Sequence, residues 1–145
     1  MANEIDMLKL ENQLCFLLYA SSREMTKKYK PLLEDLDVTY PQYLVLLLLW
    51  EHEVLSVKSI GEELYLDSGT LTPMLKRMEQ NGLIKRERSQ EDERSVMVSL
   101  TEQGKSLKEK AACIPAEIFK LSNKDTQEFS QLKSSLAHLL QQLAK

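Results

Sequence analysis

The stretch LSVKSIGEELYLDSGTLTPMLKRMEQNGLI, residues 55–84, predicts two short amphipathic helices joined by a tight break at LDSG. Ser56 is a favourable N-cap for the first helix, and Asn81-Gly82 is a favourable end for the second. Apolar residues at helical spacing give the first helix one inward face: Val57, Ile60 and Leu64. The second helix has a similar inward face: Leu71, Leu75 and Met78.

The start of the second helix has two alternatives. Thr72-Pro73 is locally the better pair of cap and first-turn residue. Asp67 is an equally plausible cap if Pro73 is tolerated inside the helix as a kink. The sequence leaves both starts open.

After Gly82 the hydrophobic period changes from helical to two. LIKRERS (83–89) and SVMVSL (95–100) flank the charged segment QEDER (90–94), which predicts a β-hairpin with a charged tip. Two short helices followed by such a hairpin are typical of a winged helix-turn-helix. In that arrangement the second helix fits the DNA major groove, and the hairpin can reach the backbone or the minor groove.

The polar face of the second helix offers candidate DNA contacts: Ser68, Thr70, Thr72, Lys76, Arg77 and Gln80. Residues 70–90 hold five basic and two acidic residues, a local charge of +3 in a chain of net charge −3. A phosphate backbone selects such local clustering. We add Arg86 and the tip residue Arg94, which could enter a narrow minor groove. A solvated helix beside a solvated hairpin is the alternative interpretation.

Helices are also predicted on the N-terminal side. The first runs from about Met7 into the thirties, and Pro31 should kink or end it. Thr39 and Pro41 then form the cap and first turn of a helix that is apolar nearly all round. That helix is expected to be the buried centre of the domain.

On the C-terminal side Thr101 is expected to cap a helix from Glu102, which Pro115 bends, and a last helix starts near Ser122. The outer helices carry more apolar residues than one small winged domain can cover. A dimer packed through both chain ends would cover them, and DNA-reading dimers match half-sites about 34 Å apart. We therefore expect one mainly α domain, residues 1–145, with a small β-hairpin wing. Its DNA-binding lobe covers about 39–100, and its dimerisation helices cover about 1–38 and 101–145.

Composition excludes several classes of protein. The 145 residues are enough for one domain with its own core, and the run YLVLLLLW (43–50) is too short to span a bilayer. The two cysteines lie 98 positions apart and form neither a metal-ligand pattern nor a CxxC motif. We expect no export signal, no cofactor, no membrane partner and reduced thiols in the cytoplasm.

Two groups of segments resemble the MarR family of transcriptional repressors. DSGTLTPMLKRMEQNGLIKRERSQEDERSV (67–96) and LTEQG (100–104) are similar to the family as a whole. LENQLCFLLYASSREMTKKYKPLL (10–33) and TYPQY (39–43) are similar to its organic-hydroperoxide-sensing branch. The resemblance covers essentially the whole chain. It implies a homodimeric repressor that releases double-stranded operator DNA when an organic hydroperoxide oxidises a cysteine.

The resemblance places the redox sensor on Cys15, with Tyr29 and Tyr40 from the partner subunit as hydrogen-bond donors and Tyr19 on the same helix. The thiolate is the nucleophile that attacks a peroxide, yet an ordinary cysteine thiol is only a few per cent ionised at neutral pH. Phenol hydroxyls can donate to the sulfur and favour the thiolate without adding charge. Considered without the family, Cys15 is instead a buried structural thiol, because cysteine is among the most buried residue types.

Cys113 has two interpretations. Some members of the branch have one cysteine, whose sulfenic acid is capped by a low-molecular-weight thiol or over-oxidised, and others have two cysteines and form a disulfide between subunits. Cys113 lies in the general region of the second cysteine, while the segments TYPQY (39–43) and LDSGTLTPMLKRME (66–79) look more like the one-cysteine kind. We favour Cys113 as a core residue and keep it as a possible resolving thiol.

Two other functions compete with hydroperoxide sensing. The first is a MarR-type repressor induced by a non-redox small ligand. The second is a thiol peroxidase, which is disfavoured because the only histidines are His52 and His138 and no CxxC motif is present. We therefore expect a protein that is not an enzyme.

Overall fold

The computed structural model describes residues 3–145, which form seven α-helices and three strands. Two short 3-10 turns, Asp6–Leu8 and Leu10–Asn12, precede the first helix. The helices are α1 (Leu14–Glu34), α2 (Tyr40–His52), α3 (Val57–Leu64), α4 (Ser68–Gln80), α5 (Glu102–Ala111), α6 (Ile114–Leu121) and α7 (Thr126–Leu143). The strands are β1 (Val54–Ser56), β2 (Ile84–Arg88) and β3 (Val96–Leu100). The chain divides into two compact units, the first ending at Ala112 and the second running from Cys113 to Lys145.

The two predicted helices of the helix-turn-helix are α3 and α4, and local caps set both starts. The Ser56 hydroxyl oxygen accepts from the N–H of Ser59 at 3.0 Å. The Asp67 carboxylate accepts from the N–H of Thr70 at 2.7 Å. Asp67 is therefore the cap of α4, the Thr72-Pro73 alternative is wrong, and Pro73 lies inside the helix.

A close approach at Gly61 sets the turn between α3 and α4. A Cβ at this position would lie 2.9 Å from the carbonyl oxygen of Leu66, closer than real Cβ contacts allow. Tyr65 ends α3 in the left-handed conformation, with φ 59°. Gly61 therefore lets the chain reverse tightly enough for α4 to pack against α3.

The predicted hairpin is confirmed, and a third strand joins it. β3 lies in the centre of an antiparallel sheet of order β1-β3-β2, with Arg86 opposite Val98 and Leu55 also opposite Val98. Val98 is fully buried. β1 was not predicted because a three-residue strand is too short to show a period of two, and its last residue, Ser56, is also the cap of α3.

Helix α2 lies at the centre of the first unit, as its apolar sequence predicts. Thr39 and Gln42 form a reciprocal capping box at its start, with Pro41 in the first turn. Its buried residues pack against α1, α3, α4 and α5, and they include Tyr43, Val45, Leu46 and Leu49.

The beginning of α1 differs from the prediction. Side chains divert the backbone before Leu14: Gln13 donates to the carbonyl oxygens of Met7 at 2.6 Å and Lys9 at 2.9 Å. These bonds hold short 3-10 turns where a helix from Met7 was expected. Pro31 does not end α1, which continues to Glu34.

The C-terminal helices also differ from the prediction. Pro115 does not bend one helix; α5 ends at Ala111, and Pro115 lies in the first turn of α6. The last helix starts at Thr126 and not near Ser122, because Asp125 caps it by accepting from the N–H of Glu128 at 2.8 Å. No helix within residues 3–145 combines the length and apolar character needed to cross a membrane.

Candidate sensor and DNA-binding sites

Cys15 is the second residue of α1 and is exposed in the single chain. Its apolar neighbours Leu14, Phe16 and Leu17 are exposed as well. Gln13 occupies the N-cap position of α1, and its side chain accepts no capping hydrogen bond from the first turn. The interpretation of Cys15 as a buried structural thiol is therefore wrong for the single chain.

Two of the predicted sensor tyrosines form an aromatic cluster within one chain. The ring centroids of Tyr29 and Tyr40 are 4.7 Å apart. Tyr43 completes the cluster, 5.9 Å from Tyr29 and 6.3 Å from Tyr40, and it is only 3% exposed. Tyr43 was not among the predicted site residues, although its position one helical turn after Tyr40 in TYPQY was the available signal.

The environment of this cluster keeps the phenols protonated. Burial, with smaller contributions from Tyr40 and Tyr43, raises the pKa of Tyr29 to about 12. Burial also raises the pKa of Tyr40 above its usual value. Both hydroxyls therefore carry their protons at neutral pH and can donate hydrogen bonds.

Cys15 and the aromatic cluster are far apart within one chain. Cys15 and Tyr29 are 14 residues apart on α1, which corresponds to roughly 21 Å along the helix axis. Tyr19 lies one turn from Cys15, is exposed, and accepts at its hydroxyl from the Arg23 guanidinium at 3.3 Å. The fold thus brings Tyr29 and Tyr40 together but leaves Cys15 and Tyr19 outside their reach.

The outer surface of α4 carries the predicted DNA contacts, whereas Leu71, Leu75 and Met78 are buried as expected. Thr72 is half-buried. The other predicted contacts of the helix are exposed: Ser68, Thr70, Lys76, Arg77 and Gln80.

A groove of about 890 Å³ lies between α3, α4 and the wing. Four predicted DNA contacts line it: Ser68, Thr72, Arg86 and Arg94. Lys58 and Tyr65, which were not predicted from the sequence, line the same groove. The sequence could have identified them by position, because Lys58 lies on α3 and Tyr65 lies in the turn after it. Exposed polar groups at such positions can contact a DNA phosphate.

The wing tip is a tight loop fixed by Asp92. One carboxylate oxygen of Asp92 accepts from the N–H of Arg94 at 3.0 Å, and the other accepts from the Ser95 hydroxyl at 3.4 Å. The Arg94 side chain is exposed and has no ion pair within the described residues. The loop therefore projects one cation from an otherwise acidic tip.

Arg86 differs from the other predicted contacts because it is held by Glu79. Its Nη2 lies 3.0 Å and its Nε 3.3 Å from Glu79 Oε1, and its backbone N–H donates to Glu79 Oε2 at 3.0 Å. These bonds lower the pKa of the Glu79 carboxyl. Glu79 therefore engages two nitrogens of the Arg86 guanidinium, and the predicted contact of Arg86 with DNA stays a prediction.

Arg77 is exposed on α4 but does not line the groove beside the wing. It lines a second groove, of about 480 Å³, together with Glu34, Asp37 and Tyr40. Arg77 therefore borders the aromatic cluster, whereas Ser68 and Thr72 border the wing.

Cys113 occupies the N-cap position of α6 and is exposed. Its interpretation as a core residue is therefore wrong for the single chain. The exposed position follows from the break between α5 and α6, where the sequence predicted only a bend.

Comparison with known proteins supports the fold and places the chain in a family. A family model described as transcriptional regulator SarA/Rot matches residues 27–111. The organic hydroperoxide resistance transcriptional regulator of Bacillus subtilis is 69% identical over 143 residues, which cover 99% of this chain and 97% of the relative.

Solved structures agree with these matches. Reduced AbfR bound to DNA, a protein of Staphylococcus epidermidis, has a TM-score of 0.79 at 39% identity and covers 99% of this chain and 100% of its own. A disulfide form of AbfR has a TM-score of 0.62 at 42% identity, covering 94% of this chain and 96% of its own. A MarR variant from E. coli with operator DNA has a TM-score of 0.80 at 24% identity, covering 88% and 93%, and shows the same fold. The chain is therefore a winged-helix transcriptional regulator of the MarR family and belongs to its branch of organic hydroperoxide resistance regulators.

Proposed function

We propose that the chain is a homodimeric repressor that binds operator DNA through α4 and the wing and releases it when an organic hydroperoxide oxidises Cys15. The observation that carries the proposal is the exposed thiol at the start of α1, together with a half-buried pair formed by Tyr29, in the later part of α1, and Tyr40, at the start of α2. The name of the B. subtilis relative and the DNA-bound AbfR structure support the same function.

A second copy of the chain completes the sensor. Because roughly 21 Å separates Cys15 from Tyr29 along one helix, the Tyr29 phenol can reach the thiol only from another subunit. An antiparallel arrangement of two α1 helices would place Cys15 near the partner subunit's Tyr29 and Tyr40. Each dimer would then contain two equivalent sensors, as two-fold symmetry requires.

Uncovered apolar residues at both chain ends support the dimer. The residues before α1 expose Ile5, Met7, Leu8 and Leu10, and α7 buries none of its side chains. The exposed residues of α7 form a stripe at helical spacing: Leu132, Leu136, Leu140 and Leu143. Apolar faces of this extent mark protein contacts, and a second copy presents the same faces in return.

The proposed redox step is a two-electron oxidation of the Cys15 sulfur. The thiolate attacks one peroxide oxygen, an S–O bond forms, the O–O bond breaks, and the alcohol leaves after taking a proton. The product is a sulfenic acid. A low-molecular-weight thiol then condenses with it, releasing water and leaving a mixed disulfide whose bulk the space between Cys15 and the tyrosines cannot accommodate.

Cys113 is the second candidate for that condensation. AbfR has been solved in a disulfide form, and Cys113 is exposed at the start of α6. If Cys113 resolves Cys15, oxidation yields a covalent dimer and no mixed disulfide. Intact mass after treatment with hydroperoxide and a small thiol separates the two products, with Cys113→Ser as the diagnostic variant.

DNA binding is assigned to the outer face of α4 and to Arg94, with Lys58 and Tyr65 as additional contacts. Binding to chromosomal operators implies action in the cytoplasm. The experiment that tests the proposal measures operator affinity before and after cumene hydroperoxide. If the inducer is a non-redox ligand, Cys15→Ser will still release the operator fully when that ligand is added. If the protein is a thiol peroxidase, it will consume many molecules of peroxide for each Cys15 thiol.

A further inference from the structure

We propose that Glu79 is a positioning residue that fixes the wing (β2, β3 and the loop between them) against α4, the recognition helix, and thereby sets the specificity of DNA binding. The inference rests on the proposed operator binding and deepens it. It concerns the contact by which Glu79, near the end of α4, holds Arg86, in the middle of β2.

Both carboxylate oxygens of Glu79 take part in the contact, and Arg86 contributes donors from its side chain and from its backbone. Oε1 accepts from Nε and Nη2 of Arg86, while Oε2 accepts from its backbone N–H. The side chains are 22% exposed for Arg86 and 39% exposed for Glu79, so the pair is partly shielded from water. A carboxylate bound to a guanidinium in this way fixes orientation as well as distance, because the guanidinium is planar.

Arg86 transmits this constraint to the reading surface. It pairs with Val98 in the centre of the sheet, and Val98 is fully buried. Its side chain also lines the groove that Arg94 enters from the wing tip. The Glu79–Arg86 contact therefore fixes the strand that supports Arg94 relative to the helix that carries Lys76 and Gln80.

The other hairpin contacts do not have this geometry. Lys85 and Glu87 lie 3.8 Å apart within one strand, and both are mostly exposed. Arg88 donates to the carbonyl oxygen of Glu93 within the hairpin. Among the described ion pairs, the contact of Glu79 with Arg86 is the one that joins the recognition helix to the wing.

The test compares Glu79→Gln with Glu87→Gln, which removes the same charge from an exposed position of the hairpin that carries Arg86. Glutamine cannot restore the whole contact, because its one amide oxygen replaces one carboxylate oxygen while its NH₂ would face a donor of Arg86 in place of the other. Fluorescence anisotropy measures affinity for the operator and for a scrambled duplex, and circular dichroism confirms folding. We expect Glu79→Gln to lose about fivefold in operator affinity, the upper range for a partly exposed ion pair. Affinity for the scrambled duplex should not fall.

A double-mutant cycle with Arg94→Ala separates positioning from simple charge removal. If Glu79 acts by placing the wing, the loss caused by Arg94→Ala is smaller in the Glu79→Gln background than in the wild type. If the two substitutions lower operator affinity additively, the proposal is overturned. It is also overturned if Glu79→Gln and Glu87→Gln change the affinity for the operator and for the scrambled duplex by the same factor. Failure of the wild type to prefer the operator would contradict the proposed function itself and is distinguishable from either outcome.

Discussion

The Trp50 indole donates to the carbonyl oxygen of Gly104 at 3.0 Å, and this bond joins α2 to the first turns of α5. A Cβ at Gly104 would overlap the carbonyl oxygen of Leu83, at the root of the wing. The Thr101 hydroxyl shares its one proton between the carbonyl oxygens of Gly82 at 2.6 Å and Leu83 at 3.1 Å. The base of the wing is therefore built by a close approach that only glycine permits.

The first prediction concerns this approach. We expect Gly104→Ala to lower the free energy of unfolding by about 1–3 kcal/mol, because backbone would have to move. Gly69→Ala is the matched control. It lies in α4 with only the Asp67 carboxylate near its Cβ position, at 3.4 Å, so alanine should be neutral or slightly stabilising there. Urea denaturation measures both, and equal effects would contradict the role of Gly104.

The second prediction follows from the pKa of Tyr29, about 12 compared with 10.0 for an ordinary tyrosine. Because the folded state keeps a proton that the unfolded chain loses, this group's contribution to stability declines as pH rises from about 10 to about 12. The difference in tyrosinate absorbance between the wild type and Tyr29→Phe reports the ionisation of Tyr29. We expect this difference to increase only at pH values well above 10. A difference curve with a midpoint near 10 would mean that Tyr29 is solvated.

The third prediction concerns the wing tip. We expect Arg94→Ala to weaken operator binding by about 1–3 kcal/mol, the range for one good groove contact. Arg94→Lys should recover only part of this loss, because lysine keeps the charge but not the planar guanidinium. Fluorescence anisotropy at fixed salt measures both variants. Unchanged affinity in Arg94→Ala would exclude the tip from the interface.

The fourth prediction concerns Lys76 and Arg77, which form no ion pair within the described part of the chain. Neutralising either should flatten the dependence of log affinity on log salt by about 0.9 for each phosphate that the variant no longer neutralises. Lys105→Gln, on α5 and paired with Glu102, removes the same charge elsewhere and should leave the slope unchanged. Unchanged slopes in both α4 variants would show that these two cations are merely solvated.

Local signals were enough to predict most of the winged helix-turn-helix. Ser56, Thr39 and Thr101 cap their helices as the sequence indicates, and apolar spacing identified the inward face of α4. The start of α4 remained ambiguous because Asp67 and Thr72-Pro73 are both good local signals, and propensity alone does not choose between them. β1 was missed because three residues carry no period.

The sequence predicted many residues of the candidate sensor and DNA-binding sites, but it did not predict which of these residues contact one another. Arg86 was expected to meet DNA because it is a cation in a basic segment, but its engagement by Glu79 depends on the packing of β2 against α4. Tyr43 was missed because a tyrosine in an apolar helix is usually core. The distance between Cys15 and Tyr29 followed from the predicted first helix, but the contact of Tyr29 with Tyr40 and Tyr43 depends on the packing of α1 against α2.

The central claim is that oxidation of Cys15 releases the operator, and one measurement tests it most directly. Wild type and Cys15→Ser are bound to operator DNA and treated with cumene hydroperoxide and a small thiol, while anisotropy and intact mass are recorded. We expect the wild type to gain the mass of the small thiol, bound to Cys15 as a mixed disulfide, and to dissociate from the operator. Cys15→Ser should bind the operator equally well before treatment and stay bound afterwards, because serine forms no thiolate. Release of Cys15→Ser at the same hydroperoxide concentration as the wild type would contradict the account.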